Sequence, residues 1–417
     1  VIPDATASAN TDIVQAERPG FSPQGSGAVT VDEQELLEKI QEAISTQQPI
    51  LPHGCGTYPD FGNLTDPRAL SLHGNGMDEV IEYDPPNQVI TVGAAKPLKT
   101  LQNELKANGQ WLPLRPTISL QDHSIGGVVA LAACGPERMA YGAPRDLLLG
   151  LRFISGKGSF VSTGGKVVKN VAGYDMTRLV TGSAGTLGFI IRATLRVAMI
   201  PESCMAVTVA GDLDTCATMA TTLITSNHLP TFVVVTASGN GNISLQQENS
   251  DWHLHVGFEG FAETVMDQTS RVAEKCEAGG LRKVAIQDYD VYDGKFSQLF
   301  HHIDRQDFIL RADLPLANIA EFVQSANSQL LQTHVMLDFG CGRILSGLEQ
   351  VSDTDWSHLC ARAERCGGHV LLEKAPVEFK QRHDVFGLKR SDWQVMHRVK
   401  GELDPHRVFA PGRLPGK

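Results

Sequence analysis

Glycine gathers in three short clusters, each beside an apolar run: Pro52-His53-Gly54-Cys55-Gly56-Thr57 after Ile50-Leu51, then Ser124-Ile125-Gly126-Gly127, and Gly182-Ser183-Ala184-Gly185-Thr186-Leu187-Gly188 ahead of Phe189-Ile190. Bends at strand ends that lack Cβ atoms let several backbone N–H groups converge on one point, which is how a diphosphate is held where side-chain charge is scarce. Any single cluster is equally well a tight turn, because glycine is the default turn residue. Three in one chain favour a phosphorylated cofactor. The other phosphate motifs fail. No Gly-x-Gly-x-x-Gly opens a helix, so a Rossmann nicotinamide site has no support. Gly150 to Gly158 misses P-loop spacing by one residue and puts Gly158 where the magnesium-binding Ser or Thr belongs. A Gly-x-Ser-x-Gly elbow is absent, which argues against an α/β-hydrolase.

Composition narrows the partners. The 417 residues suffice for two or three domains. Lys and Arg number 36 against 47 Asp and Glu, a net charge of −11, the wrong sign for tracking a phosphate backbone, so nucleic acid is not expected. No stretch approaches the roughly 20 apolar residues of a membrane helix, and the chain reads as soluble, without a transmembrane segment. The eight Cys include no Cys-x-x-Cys, which speaks for reduced thiols in a cytoplasmic setting. Residues 1–27 lack a basic start and an apolar core, so a flexible arm is expected and not a secretory signal.

Periodicity supplies the elements. Leu36, Leu37, Ile40, Ala43 and Ile44 follow helical spacing, with Asp32 and Glu35 resembling a capping box. Strands at 80–81 and 89–92 and a helix marked by Leu98, Leu101 and Leu105 suggest a βαβ-like unit. Further strands are expected at 147–154, 160–162 and 189–197, the first two joined by a hairpin turn at 155–158. From about 201 the pattern resets to alternating strands and helices, and Trp393 to Leu403 form a last helix ended by Asp404-Pro405. No internal repeat is visible.

In order and spacing, the clusters resemble the FAD-binding fold of the vanillyl-alcohol oxidase and p-cresol methylhydroxylase (PCMH-type) class. The first matches its pyrophosphate loop, and Ser124 to Gly127 its second flavin loop. The run Gly164-Gly165-Lys166-Val167-Val168-Lys169-Asn170-Val171-Ala172-Gly173-Tyr174-Asp175, with Gly182 to Gly188, is similar to the FAD-binding subunit of glycolate oxidase. Gly135-Pro136, Tyr141-Gly142-Ala143-Pro144-Arg145-Asp146 and the tail Leu403 to Leu414 point the same way.

The resemblance implies an α+β chain: a PCMH-type FAD-binding domain at 28–200 in two α+β lobes (about 28–110 and 111–200), an α+β cap with a mostly antiparallel sheet at 201–390, and a tail at 391–417 returning to the FAD domain. It implies cofactor contacts from Pro52 to Thr57, Ser124 to Gly127, Gly135, Tyr141, Gly142, Gly182, Ser183, Gly185, Gly188 and Ile190. Thr57 stands where covalent flavoproteins of the class place a His, so noncovalent FAD is expected; His53 replaces a common Arg, and Ala132 and Ala410 replace common Asn residues. The implied partners are a paralogous catalytic flavoprotein and an iron–sulfur subunit that oxidise glycolate to glyoxylate, in the cytoplasm or held through partners at the inner face of the membrane. A stand-alone 2-hydroxy-acid dehydrogenase and a noncatalytic assembly protein are the alternatives.

No side chain stands out as the base for a substrate hydroxyl or the cation for its carboxylate, so catalytic residues stay unassigned and an electron-transfer or scaffolding role is favoured. No metal site is expected: His253 and His255 share a strand face without a third ligand and read as solvated surface, and adjacent His301 and His302 diverge. His73-Gly74-Asn75-Gly76-Met77-Asp78-Glu79 reads as a surface turn. Lys166 and Lys169 lie near the flavin, bridge to a carboxylate substrate, or face solvent, and Arg145-Asp146 reads as an ion pair stiffening a loop.

Overall fold

The computed structural model describes residues 31–58, 60–74, 76–116, 123–165, 175–237, 252–288, 295–325 and 335–416; Lys166, Lys169 and the arm at 1–27 lie outside them. Helix α1 (Val31–Ser45) buries Leu36, Leu37, Ile40 and Ala43 on one face. Asp32 sits in its first turn, not at the cap position, where its charge suits the positive end of the helix dipole.

Strands β1 (Ile50–His53) and β2 (Leu70–His73) run parallel with His53 opposite His73. Then come β3 (Val80–Asp84), β4 (Val89–Gly93), α2 (Leu98–Lys106) and β5 (Gln110–Trp111). The expected βαβ unit does not form: β3 and β4 are an antiparallel pair, and the chain after α2 enters β5, which pairs with a distant short strand, β9 (Ala198–Met199). Helices α3 (Ile125–Leu131), α4 (Arg138–Tyr141) and α5 (Pro144–Leu147) lead to β6 (Leu148–Ser155) and β7 (Phe160–Gly164), the predicted hairpin. Helix α6 (Met176–Val180) precedes β8 (Gly188–Arg196).

The sheet order β3-β4-β8-β6-β7 is antiparallel throughout and puts β8 at the centre. Because β4 pairs with β8, this sheet draws strands from both sides of residue 110. Phe189 and Ile191 of β8 pack with the α1 core, whereas Ile190, Ala193 and Leu195 pack with α2 and α3. Burial on both faces explains why β8 reads as a nearly continuous apolar run.

The second half consists of β10 (Ser203–Gly211), α7 (Leu213–Ile224), β11 (Phe232–Ala237), β12 (Trp252–Gly260), α8 (Ala262–Ala278), β13 (Arg282–Asp288) and α9 (Lys295–Asp304). It continues with β14 (Phe308–Asp313), α10 (Ile319–Ser325), β15 (Val335–Asp338), β16 (Arg343–Leu348), α11 (Asp353–Arg365), β17 (His369–Lys374) and α12 (Val377–Arg382). One eight-stranded antiparallel sheet results, in the order β13-β10-β12-β11-β15-β16-β14-β17. Each half of that order is the same βαββαβ unit, joined where β11 meets β15. A structural repeat is thus present where the sequence shows none, because only the alternation of elements, not residue identity, is preserved.

Helix α13 (Trp393–Leu403) brings the tail back to the first half, where Phe409 bridges Ile50 and Ala410 N donates to Ile50 O at 2.7 Å. Buried Asn63 joins three segments: its amide donates to Asp384 Oδ1 and Leu414 O, both at 3.1 Å, and its oxygen accepts from Val385 N at 3.0 Å.

Candidate functional site

The three glycine bends meet in one groove. A Cβ added at Gly54 would fall on the Ser124 hydroxyl, one at Gly185 would touch Pro52 at 3.5 Å, and one at Gly126 would reach Ala94 Cβ at 3.0 Å. Gly56, at φ +77°, lies beneath His53, whose Nε2 would be 3.0 Å from an added Cβ. The groove encloses about 910 Å³, part of it open to solvent.

Of the residues singled out by sequence, Pro52 to Thr57, Ser124, Gly126, Gly127, Gly185, Gly188 and Ile190 line this groove. Ile125 does not: it is buried in the core of α2 and α3. Gly182 and Ser183 also lie off it; Gly182 N donates to Val129 O at 3.0 Å, and Ala184 N to Ala130 O at 2.7 Å, fastening the third bend to α3. The α3 amides are occupied internally: Ile125 N by Lys96 O, Gly126 N by Ala94 O and Gly127 N by Ser124 Oγ. Ser124, Gly126 and Gly127 therefore shape the wall rather than offer free amides to a ligand.

Gly135, Tyr141 and Gly142 do not line the groove either. Tyr141 Oη donates to Glu259 Oε2 at 2.5 Å, and Arg115 donates to Glu259 at 2.8 Å and to Glu137 at 3.3 Å, joining the two halves of the molecule. Burial pushes the Tyr141 phenol far above its ordinary value, with Glu259 adding to the shift. Burial also pushes Glu137 up to about 7, against the attraction of Arg115. Between the ordinary carboxyl value and about 7 the folded chain keeps a proton that the unfolded chain has lost. This group therefore lowers stability as pH rises, by about 1.4 kcal/mol per pH unit, and the loss levels off above about 7. Glu137→Gln is expected to flatten that slope in urea unfolding series at about pH 5 and about pH 8.

Several groove residues escaped the sequence reading: Tyr58, Gly74, Met77, Ala94, Ala95, His123 and Arg413. Gly74 and Met77 are buried and line the groove, whereas His73, Gly76, Asp78 and Glu79 of the same segment are exposed, as a surface turn requires. Arg413 arrives from the tail and donates to Ala184 O at 3.1 Å; burial lowers its pKa to about 10, with Asp60 opposing.

A second cavity, about 430 Å³ including space open to solvent, shares Tyr58 and Leu131 with the groove and is lined also by Ala132, Cys134, Arg311, Arg343 and Glu373. Arg311 and Arg343 sit on neighbouring strands β14 and β16 and both reach Asp313, at 2.7 Å and 2.9 Å. Against the cost of burial, these guanidiniums hold Asp313 well below the usual carboxylate range. Nothing in the spacing of Arg311 and Arg343 marks them before the sheet aligns them.

His255 is buried, not solvated: its ring nitrogens lie 3.1 Å from Thr208 Oγ1 and 3.0 Å from Thr236 Oγ1. Among the described residues no group of three or more His, Cys, Asp or Glu could hold a metal ion. Arg145 and Asp146 do pair, at 3.6 Å, but exposed; the loop is held more directly by Asp146 Oδ2 accepting from Ala143 N at 2.9 Å. No described helix is long and apolar enough to cross a membrane.

A glycine-walled groove beside an antiparallel sheet fits a flavin nucleotide, and FAD is the chain's cofactor. Residues 28–164 match the family model FAD_binding_4, the FAD binding domain. The chain is 36% identical over 170 residues to glycolate oxidase subunit GlcE of Escherichia coli, 41% of this chain and 48% of that one, so the match spans about half of that relative. It is 23% identical to glycolate oxidase subunit GlcD of Bacillus subtilis over 88% of this chain and 84% of that one. It is 24% identical to a D-lactate dehydrogenase of Archaeoglobus fulgidus over 88% and 86%. A solved alkyldihydroxyacetonephosphate synthase shares the fold with a TM-score of 0.67 over 91% of this chain and 75% of that one, at 16% identity.

Proposed function

We propose that this chain is the FAD-binding redox subunit of a glycolate oxidase-type complex, oxidising a 2-hydroxy acid, glycolate to glyoxylate, and passing electrons to an iron–sulfur partner. The observation that supports the cofactor's placement is the meeting of the three bends in one groove, where a Cβ at Gly54 would fall on the Ser124 hydroxyl and Gly185 lies at φ +71° beside Pro52. Gly54, Gly56 and Gly185 would hold the diphosphate, and Tyr58, Leu131 and Ala132 lead from the groove to the second cavity, where a flavin ring would face the cap. When bound, FAD supplies the two-electron acceptor; the chain's residues orient it and shield it from water. Thr57 offers no imidazole for a covalent link, which supports noncovalent binding.

Arg311 and Arg343 favour a second reading, a self-sufficient 2-hydroxy-acid dehydrogenase, because they bring cationic donors to a cavity wall; their engagement by Asp313 and Glu373 favours the first. The expected result is a purified chain with a yellow chromophore released by acid, whose flavin is not bleached by glycolate or D-lactate under anaerobic conditions until a second flavoprotein and an iron–sulfur protein copurify. Bleaching of the isolated chain by either acid would establish the second reading. Copurification of no such partner from the native cell would overturn the first.

A further inference from the structure

His53 ends β1 at the first glycine bend, and its ring packs against His73 with centroids 4.8 Å apart and planes tilted by 50°, a contact set by the parallel register of β1 and β2. Its Nε2 overhangs Gly56 in the groove, 3.0 Å from where a Cβ would stand. The groups that act on it are all of one sign when charged: His73 from β2 and Arg413 from the tail. Other titratable groups on the same walls are Cys55 and Tyr58 of the bend and His123, which stacks on Tyr58 at 5.4 Å; Asp60 acts on Arg413, and Asp32 of α1 lies against Gly76.

We propose that binding of the cofactor's diphosphate is coupled to protonation of His53, so that the groove takes up a proton together with FAD. The inference rests on the placement of FAD proposed above. In the free groove, burial, then His73, then Arg413 favour the neutral imidazole. A diphosphate over Gly56 brings negative charge to the same spot and reverses the balance, and a group that binds a proton more tightly in the complex makes the ligand bind more tightly as pH falls. His53 is thus a cofactor-binding residue whose contribution disappears at alkaline pH, unlike that of Arg413.

The test is FAD affinity of the full chain, read by quenching of flavin fluorescence from about pH 5.5 to about pH 8.5, with calorimetry in buffers of different ionisation heat to count protons. The wild type is expected to lose about tenfold in affinity per pH unit through the middle of that range and to take up about one proton. His53→Gln is expected to flatten the profile at the weak, alkaline level, and His53→Arg to flatten it at the strong, acid level. A flat wild-type profile, or an unchanged slope in His53→Gln, overturns the coupling while leaving the FAD site intact. Failure to bind flavin at any pH overturns both.

Discussion

Gly56→Asp is expected to leave a folded chain that no longer retains flavin through a desalting column. Two costs fall on the same atom position. At φ +77° any side chain meets left-handed strain of about 1 to 2 kcal/mol, and the new Cβ stands 3.0 Å from His53 Nε2. The carboxylate then projects into the groove that takes the diphosphate, where like charges about 4 Å apart repel by about 4 kcal/mol at the effective dielectric of a protein surface. Together these amount to a loss of at least about a thousandfold in affinity. Gly56→Ala carries only the strain and is expected to weaken FAD about tenfold, so fluorescence titration of the two variants separates backbone from charge. Equal retention of flavin by Gly56→Asp and the wild type would remove the first bend from the site.

How far the groove could be read in advance depended on what each segment owes to its neighbours in sequence. The bends at Gly54 and Gly185 announce themselves because a Cβ at Gly54 would fall on the Ser124 hydroxyl and Gly185 holds a left-handed φ of +71°, conditions that favour glycine. Ala94, Ala95 and Met77 carry no such mark; they become wall residues because β4 pairs with β8 and the segment after β2 folds over Phe189. Tyr141 stands apart for the opposite reason: its motif is conspicuous, but its hydroxyl serves the Arg115, Glu137 and Glu259 junction.

Ala132 and Ala410 show a third case. Both hold left-handed backbone, at φ 50° and 42°, a conformation that Asn adopts more readily than Ala. Left-handed backbone is a sufficient conformational reason for the Asn implied by resemblance at these positions. The doubled βαββαβ unit of residues 203–374 was invisible because strand order is a property of pairing, not of any local run.

Asp404→Ala is expected to cost about 3 to 5 kcal/mol of stability and to weaken FAD binding from a distance, the range for removing one partner of a buried ion pair. Asp404 is fully buried; its oxygens accept from Val408 N at 3.1 Å, Phe409 N at 2.9 Å and the Lys400 ammonium. Lys400 Nζ also donates to Thr186 O and Phe409 O, both at 2.6 Å, tying the third bend to the tail strand that delivers Arg413 to the groove. Without Asp404 the ammonium stays buried beside two carbonyls and no anion, and the cheapest relief is to let the tail and Thr186 part. Lys400→Met with Asp404→Ala removes both charges, so the double variant is expected to recover part of the loss, a non-additivity that a simple cavity would not produce. Urea unfolding with and without FAD measures both effects. A single variant within about 1 kcal/mol of the wild type, or strict additivity, would show that the tail is held by packing around Phe409 and not by this ion pair.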